Sequence, residues 1–189
     1  VSTNTENNDY YLDAVKFHAV KPNGKIKSEI VNKNPTPIKA PIFQDVFGSI
    51  VCEIARNRKD TVCITAAMRE GTGLVPYAKE FKDRYYDVGI AEGHGVTFAA
   101  GLATQNVRPI VAIYSTFLQR AYDQLIHDVC LENIDVTFAI DRAGIVGEDG
   151  PTHTGSFDIS FMRCIPNIVI SCPSNEHELW HLLNICYEH

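Results

Sequence analysis

Apolar residues in this chain recur in two ways, at helical spacing and in short unbroken runs. Helical spacing over residues 43–54 predicts an amphipathic helix. The short runs predict buried strands at residues 61–66, 85–88, 109–114, 136–140 and 168–171. Further helices are predicted near residues 77–81, 92–103, 118–129 and 175–187, the last with Ser174 as its N-cap. Apolar strands that alternate with helices indicate an α/β fold: a three-layer, open, mostly parallel sheet with helices on both faces.

Residues 1–40 differ from the remainder in composition. They are polar, and residues 21–41 contain four prolines, which predicts a linker and a partly disordered tail. This tail carries six lysines against four acidic residues, whereas residues 41–189 carry eleven basic against nineteen acidic residues. We therefore expect one acidic folded domain at residues 41–189, preceded by the tail.

Composition excludes several classes of protein. Hydrophobic residues make up 45% and charged residues 21%, which are ordinary globular values. No run approaches the ~20 apolar residues of a membrane span, and a net charge of −6 disfavours nucleic-acid binding. The six cysteines form no C-x-x-C pair and no zinc spacing, and the chain starts without a signal-peptide pattern. We expect free thiols in a reducing compartment, either the cytoplasm or an organelle of bacterial origin.

Polar side chains that follow the strands are the candidates for function, because ligands of open parallel sheets bind beyond the carboxyl ends of the strands. Three arginines stand there in an otherwise acidic domain: Arg69, Arg120 and Arg142. A guanidinium suits carboxylate or phosphate oxygens. The alternative is that each arginine only pairs with a nearby acid, such as Glu70, Asp123 or Asp141.

Two further features of this rim carry possible chemistry. Glu92 opens an alanine-rich helix directly after an apolar strand, either as an acid that suits the helix dipole or as a buried carboxylate aimed at a ligand nitrogen. The G-x-x-G-x-x-G spacing of residues 144–150 fits neither a phosphate-binding P-loop nor a dinucleotide fingerprint. It indicates a mobile surface loop or a loop that a ligand approaches closely. Asp149 and His153 lie in it and have acid/base capacity.

Three long motifs resemble a known family. They are DVGIAEGHGVTFAAG at residues 87–101, AIYSTFLQRAYDQ at residues 112–124 and DRAGIVGEDGPTH at residues 141–153. In this order they closely resemble the 1-deoxy-D-xylulose 5-phosphate synthase family, in its transketolase-like pyrimidine-binding domain. The resemblance covers about residues 41–189. It implies the thiamine diphosphate-binding fold, and specifically its pyrimidine-binding half.

The resemblance also implies a cofactor and a reaction. Members of the family use thiamine diphosphate and Mg²⁺ to join pyruvate to glyceraldehyde 3-phosphate with loss of CO₂, for isoprenoid precursor and thiamine biosynthesis. Glu92 matches the carboxylate that hydrogen-bonds the aminopyrimidine ring of the cofactor, and His153 matches a candidate proton donor. Phe117 matches the aromatic residue that stacks on the pyrimidine, and Ile90 lies at a further cofactor-binding position.

Substrate-binding positions follow from the same resemblance. Tyr114 and Arg120 match groups that bind the phosphate of the aldehyde substrate. Arg142 and Asp149 match further substrate-side positions. Residues 17–20, which include His18, resemble the end of the family's preceding domain, where this histidine faces the active site. No metal ligand is expected in this chain.

The chain also departs from the family. Gly93 and Gly95 stand where the family usually has Gln and Ala, and no Mg²⁺-diphosphate motif is present. The chain is expected to stop before the last strand of its own domain. We expect the diphosphate and Mg²⁺ half of the site to come from the diphosphate-binding domain of the same protein, within a homodimer. The isolated chain is therefore expected to be an inactive fragment.

Two alternatives remain open from the sequence. One is another transketolase-family thiamine enzyme, such as transketolase itself or a ketoacid dehydrogenase β-type chain that works with a separate subunit. The other is a non-catalytic oligomerisation or regulatory module, in which Gly93 marks a degenerate site.

Overall fold

The computed structural model of this chain describes residues 40–147 and 149–188. The predicted tail, residue 40 excepted, and the candidate site residue His18 lie outside the described residues. The domain boundary near residue 40 therefore stays a prediction.

The described residues form helices that alternate with short strands. The helices are α1 (Phe43–Asn57), α2 (Val75–Glu80), α3 (Glu92–Ala103), α4 (Ser115–Leu118), α5 (Tyr122–Gln124), α6 (Asp158–Met162) and α7 (Glu176–Glu188). The strands are β1 (Thr61–Thr65), β2 (Tyr85–Asp87), β3 (Arg108–Tyr114) and β4 (Thr137–Asp141). Short 3₁₀ turns occur at Lys82–Arg84, Gln119–Ala121 and Pro151–His153, and a π-helical segment at Leu125–Cys130.

The four strands form one parallel sheet in the order β2-β1-β3-β4. In the register, Thr65 of β1 lies beside both Asp87 and Ala112, and Tyr114 at the end of β3 lies beside Asp141. Because all four strands run the same way, their carboxyl ends share one edge of the sheet. The loops that carry the candidate residues start at this edge.

Helices cover both faces of the sheet, as the sequence predicts. Val62 and Ile64 of β1 point into one apolar cluster with residues of α3 and of the segment that follows β3. Cys63, between them, points into a second cluster with α1, α2 and α7. This alternation follows from the two-residue period of a strand. The predicted three-layer, parallel α/β architecture is confirmed.

The cysteines and the helices each bear on a prediction from composition. All six cysteines are free thiols, as predicted. Within the described residues, none of the helices has the length and apolar character that crossing a bilayer requires.

The predicted fifth strand at residues 168–171 is wrong. These residues have no strand partner, and the Val169 side chain is 70% exposed. β4 is the edge strand of the sheet, and both β4 and residues 168–171 line a cavity of about 530 Å³. The apolar run therefore predicted neither the burial of these residues nor their pairing correctly.

Three smaller predictions also need correction. The helix predicted at residues 118–129 is divided into short α, 3₁₀ and π segments. The sequence pattern does not predict helix α6, which lies directly after the loop that follows β4. The N-cap of α7 is Asn175 rather than Ser174, because the Asn175 Oδ1 accepts the backbone N–H of Glu178 at 2.9 Å.

Candidate functional site

Tyr114, Phe117 and Arg120 lie on one face of the segment that leaves β3. Tyr114 is the last residue of the strand, and α4 and the 3₁₀ turn Gln119–Ala121 follow it without a break. Residues three apart lie nearly above one another at about three residues per turn. The sequence spacing of these three residues therefore stacks their side chains.

The stack continues at both ends with a guanidinium. The rings of Tyr114 and Phe117 are 5.5 Å apart and inclined by only 5°. Arg142 lies 4.7 Å from the centre of the Tyr114 ring, and Arg120 lies 5.2 Å from the centre of the Phe117 ring. We call Arg142, Tyr114, Phe117 and Arg120 the aromatic column. It brings four predicted site residues together, each in contact with the next.

Glu92 contacts Arg120, which forms the exposed end of this column. It is the first residue of α3 and only 5% exposed. The Arg120 Nη1 donates to the Glu92 Oε1 at 2.6 Å, and 56% of the Arg120 side chain is exposed. A buried carboxylate needs such a partner, because an unpaired charge in the interior is costly. The predicted buried carboxylate is present, and its partner is itself a predicted site residue.

The other end of the column is held inside the protein. The Arg142 Nη1 has three acceptors: Gln44 Oε1 at 2.7 Å, Asp141 Oδ2 at 2.9 Å and the Gly71 carbonyl at 3.1 Å. Arg142 also has a left-handed backbone with φ of 55°, which is uncommon for a residue with a side chain. The pairing of Arg142 with Asp141 is present, but it is one of several contacts that Arg142 makes. Arg142 fixes the column and has little freedom to move.

The loop after β4 is pinned to the column. Gly144 and Gly155 exchange backbone hydrogen bonds at 2.7 and 2.8 Å, and the Thr116 hydroxyl donates to the Thr152 carbonyl at 2.9 Å. These contacts place the His153 ring edge-on to Phe117, with centroids 5.4 Å apart. Part of the loop predicted to be a mobile surface loop is therefore held in place, with His153 beside the column.

Tyr114 is buried at the middle of this arrangement. Burial raises the pKa of its phenol, while the nearby Arg142 lowers it and the carboxylates of Asp141 and Asp149 raise it. The net shift is upward, so the hydroxyl stays protonated at neutral pH. Tyr114 is consequently able to donate a hydrogen bond to an anionic group.

Some predicted residues lie apart from the column. Ile90 is 80% exposed in the loop before α3, and Asp149 is exposed in the loop after β4. Arg69 pairs with its neighbour Glu70 at 2.5 Å and has no contact with the column, so for Arg69 the neighbouring-acid alternative is confirmed. For Arg120 the predicted neighbour Asp123 is wrong, because Glu92 takes that place.

Gly93 and Gly95, which differ from the usual family residues, each lie close to a neighbouring side chain. A Cβ at Gly93 would lie 3.0 Å from the Gln124 Oε1, and a Cβ at Gly95 would lie 3.3 Å from Val88. Among the described residues, that Gln124 oxygen is buried without a hydrogen-bond partner. A larger residue at position 93 would therefore require Gln124 to move.

Sequence reasoning missed Gln44, Gly71 and Gln124. Gln44 is 98 residues from its partner Arg142, and a glutamine on an exposed helix turn gives no signal of such a contact. Gly71 was noticeable only as a loop glycine, although its carbonyl accepts from Arg142.

The residues present fit the pyrimidine end of thiamine diphosphate. The Arg120 guanidinium, a flat group with N–H donors, already lies over Phe117 while donating to Glu92. An aminopyrimidine needs the same two contacts, a flat face and a carboxylate acceptor. For the metal, no group of three or more His, Cys, Asp or Glu side chains within residues 40–147 and 149–188 is placed to hold an ion.

Comparison with known proteins places this chain in a family. The model of the transketolase pyrimidine-binding domain matches residues 39–189. Relatives named 1-deoxy-D-xylulose-5-phosphate synthase include one from Neisseria meningitidis, 54% identical over 178 residues, and one from Psychrobacter cryohalolentis, 53% identical over 183 residues. These matches cover 93% and 94% of this chain. The chain spans only 28% and 26% of the length of those relatives.

Solved structures share the fold. A transketolase from Campylobacter jejuni superposes with a TM-score of 0.71 at 22% identity, over 84% of this chain and 27% of its own. A split-gene transketolase solved as an inactive β4 tetramer gives 0.69 at 24% identity, over 78% of this chain and 48% of its own. Sequence and fold agree, and this chain belongs to the transketolase pyrimidine-binding domain family.

Proposed function

We propose that this chain supplies the pyrimidine-binding half of the thiamine diphosphate site of a 1-deoxy-D-xylulose 5-phosphate synthase. The observation that carries the proposal is the buried Glu92 carboxylate beside the face of Phe117. One flat N–H donor, the Arg120 guanidinium, contacts both of them at once. Relatives more than 50% identical over nearly the whole chain bear that enzyme's name, which supports the choice among transketolase-type enzymes.

Glu92 and Phe117 would bind the cofactor. The Glu92 carboxyl would hydrogen-bond the aminopyrimidine and hold a proton at its ring nitrogen, while Phe117 and Ile90 would contact the ring. When bound, the cofactor supplies the electron sink for joining pyruvate to glyceraldehyde 3-phosphate with release of CO₂. This transferase reaction would serve isoprenoid precursor and thiamine biosynthesis.

The rest of the column would bind the substrates. The Tyr114 hydroxyl and the Arg120 guanidinium are donors suited to the phosphate of the aldehyde. Arg142 and Asp149 would contribute further substrate-side groups, and the His153 ring, which lies beside Phe117, would be a proton donor.

The other half of the site would come from outside the described residues. We propose that a diphosphate-binding domain of the same protein contributes the diphosphate and Mg²⁺ site, in a homodimer, and that the isolated chain is inactive. The short share of the relatives' length that this chain spans supports this proposal. Six free cysteines support a reducing compartment, the cytoplasm or an organelle of bacterial origin.

The test is a chimera. Residues 41–189 replace the corresponding segment of the Neisseria meningitidis relative, and product formation from pyruvate and glyceraldehyde 3-phosphate is measured. We expect turnover in the chimera and at least a 100-fold lower turnover number after Glu92→Gln, because the amide cannot hold the proton.

Glu132→Gln is the matched control, since Glu132 is exposed in the loop that precedes β4. It should leave turnover within twofold. Near-normal turnover of the Glu92→Gln chimera would refute the role of Glu92. Product formed by the 189-residue chain alone would refute the division of the site between two domains.

A further inference from the structure

Arg120 makes two contacts that a bound aminopyrimidine would also make. Its Nη1 donates to the Glu92 Oε1 at 2.6 Å, and its guanidinium lies 5.2 Å from the centre of the Phe117 ring. A guanidinium and an aminopyrimidine are both flat and both carry N–H donors. Two flat groups cannot lie on the same place over Phe117 and donate to the same oxygen at once.

The two arginines of the column differ in how firmly they are held. Arg142 is 74% shielded, with three acceptors around one nitrogen. Arg120 is mostly exposed, and Glu92 is the one hydrogen-bond acceptor that it has among the described residues. Arg120 can therefore move into solvent, provided that Glu92 receives another donor in exchange. Without such a donor the buried carboxylate would be left unpaired, which is costly.

We propose that the Arg120 guanidinium occupies the pyrimidine subsite while the cofactor is absent and leaves it when the aminopyrimidine binds. The inference rests on the proposed function. It links the two ligands of the site, because the guanidinium becomes free for an anionic substrate only after the cofactor has taken over Glu92. Cofactor binding thus precedes productive binding of the substrate phosphate.

The proposal predicts that removing the guanidinium strengthens binding of the pyrimidine. When a site is open for only a fraction of the time, its apparent affinity equals the intrinsic affinity multiplied by that fraction. If Arg120 blocks the subsite about nine-tenths of the time, the Arg120→Met chain should bind thiamine about tenfold more tightly than the wild-type chain. Titration calorimetry or ligand-observed NMR with the 189-residue chain measures this affinity.

Two variants serve as controls in this titration. Arg69→Met removes another rim arginine, which is paired with Glu70 and outside the column, and should leave the affinity within twofold. Glu92→Gln removes the carboxylate acceptor and should weaken binding in both the wild-type and the Arg120→Met background.

A second measurement needs no substitution at Arg120. The side-chain Nε–H resonance of Arg120 is followed by NMR in the wild-type chain during a thiamine titration. Release of the guanidinium should shift this resonance and speed its exchange with water, while the Arg69 resonance stays in place. This readout holds even if the Arg120→Met chain folds poorly.

The outcomes separate the inference from the proposed function. Equal or weaker thiamine binding by Arg120→Met, or an unchanged Arg120 resonance at saturating thiamine, overturns the inference and leaves the pyrimidine site standing. Absence of thiamine binding in every variant, or binding that ignores Glu92→Gln, overturns both.

Discussion

Gly71 lets the aromatic column pack against the loop after β1. A Cβ built on Gly71 would lie 1.9 Å from the Tyr114 hydroxyl oxygen, far inside contact distance. The same glycine offers its carbonyl to Arg142. The absent side chain leaves room for Tyr114, and the backbone carbonyl of the same residue holds Arg142.

Gly71→Ala should destabilise the domain by about 1–3 kcal/mol, because the added Cβ would overlap the buried Tyr114 side chain. Urea unfolding measures the change. Gly101→Ala is the matched control, because Gly101 lies in α3 with nothing within 4 Å of the added Cβ. It should be neutral or stabilising by up to ~1 kcal/mol. Equal effects of the two substitutions would show that the close approach at Gly71 is unimportant.

At the start of α7, hydrogen bonds distinguish the N-cap Asn175 from the preceding Ser174. The Asn175 Oδ1 accepts the Glu178 backbone N–H, whereas the Ser174 hydroxyl donates to the Glu178 carboxylate at 2.8 Å. Only the first contact satisfies a backbone donor of the opening turn. Leu183 and Tyr187 of this helix are buried against α1 and the sheet, so its start affects the core.

Asn175→Ala should lower the free energy of unfolding by about 1 kcal/mol. Ser174→Ala should cost less, about 0.5 kcal/mol or under, because it removes only an exposed side-chain contact. Chemical denaturation of both variants gives the comparison. A larger loss of unfolding free energy for Ser174→Ala than for Asn175→Ala would show that Ser174, the residue predicted from the sequence, is the N-cap.

The sequence predicted most helices and strands, and the family resemblance named the four residues of the column without predicting that they stack. It failed where the outcome depends on distant groups. Residues 168–171 are apolar enough for a strand, but their pairing depends on what lies beside β4. The partner of Arg120 is Glu92, 28 residues away, and a neighbouring acid was equally compatible with the sequence.

Buried phenols give the entire domain a shared dependence on pH. Burial is the main cause that raises the pKa of Tyr77 and of Tyr187. Both hydroxyls meet at Thr61: Tyr77 donates to its carbonyl at 3.0 Å, and the Tyr187 hydroxyl lies 2.6 Å from its side-chain oxygen. The core thus favours the neutral phenols.

Stability from these phenols should be fully present below pH ~10, the ordinary pKa of tyrosine in an unfolded chain, and lost as pH rises above it. Above this pH the two phenols ionise in the unfolded chain but stay neutral in the folded chain, because burial raises their pKa. Rising pH therefore favours unfolding. Thermal unfolding between pH 7 and 11 tests this. Tyr77→Phe should lower stability by about 1 kcal/mol at pH 7 and flatten the alkaline decline. An equally steep decline in the variant would contradict the assignment.

The two apolar clusters are completed at different points along the chain. The cluster beneath α3 has its last buried member at Ile165, whereas the opposite cluster needs Leu183 and Tyr187. Thr61 and Tyr187, which meet through their hydroxyls, are 126 residues apart. During synthesis from the N-terminus, the layer that bears Glu92 has all its buried residues some twenty positions before the layer formed by α1 and α7. Synthesis therefore completes the sequence of the layer that bears Glu92 before that of the opposite layer.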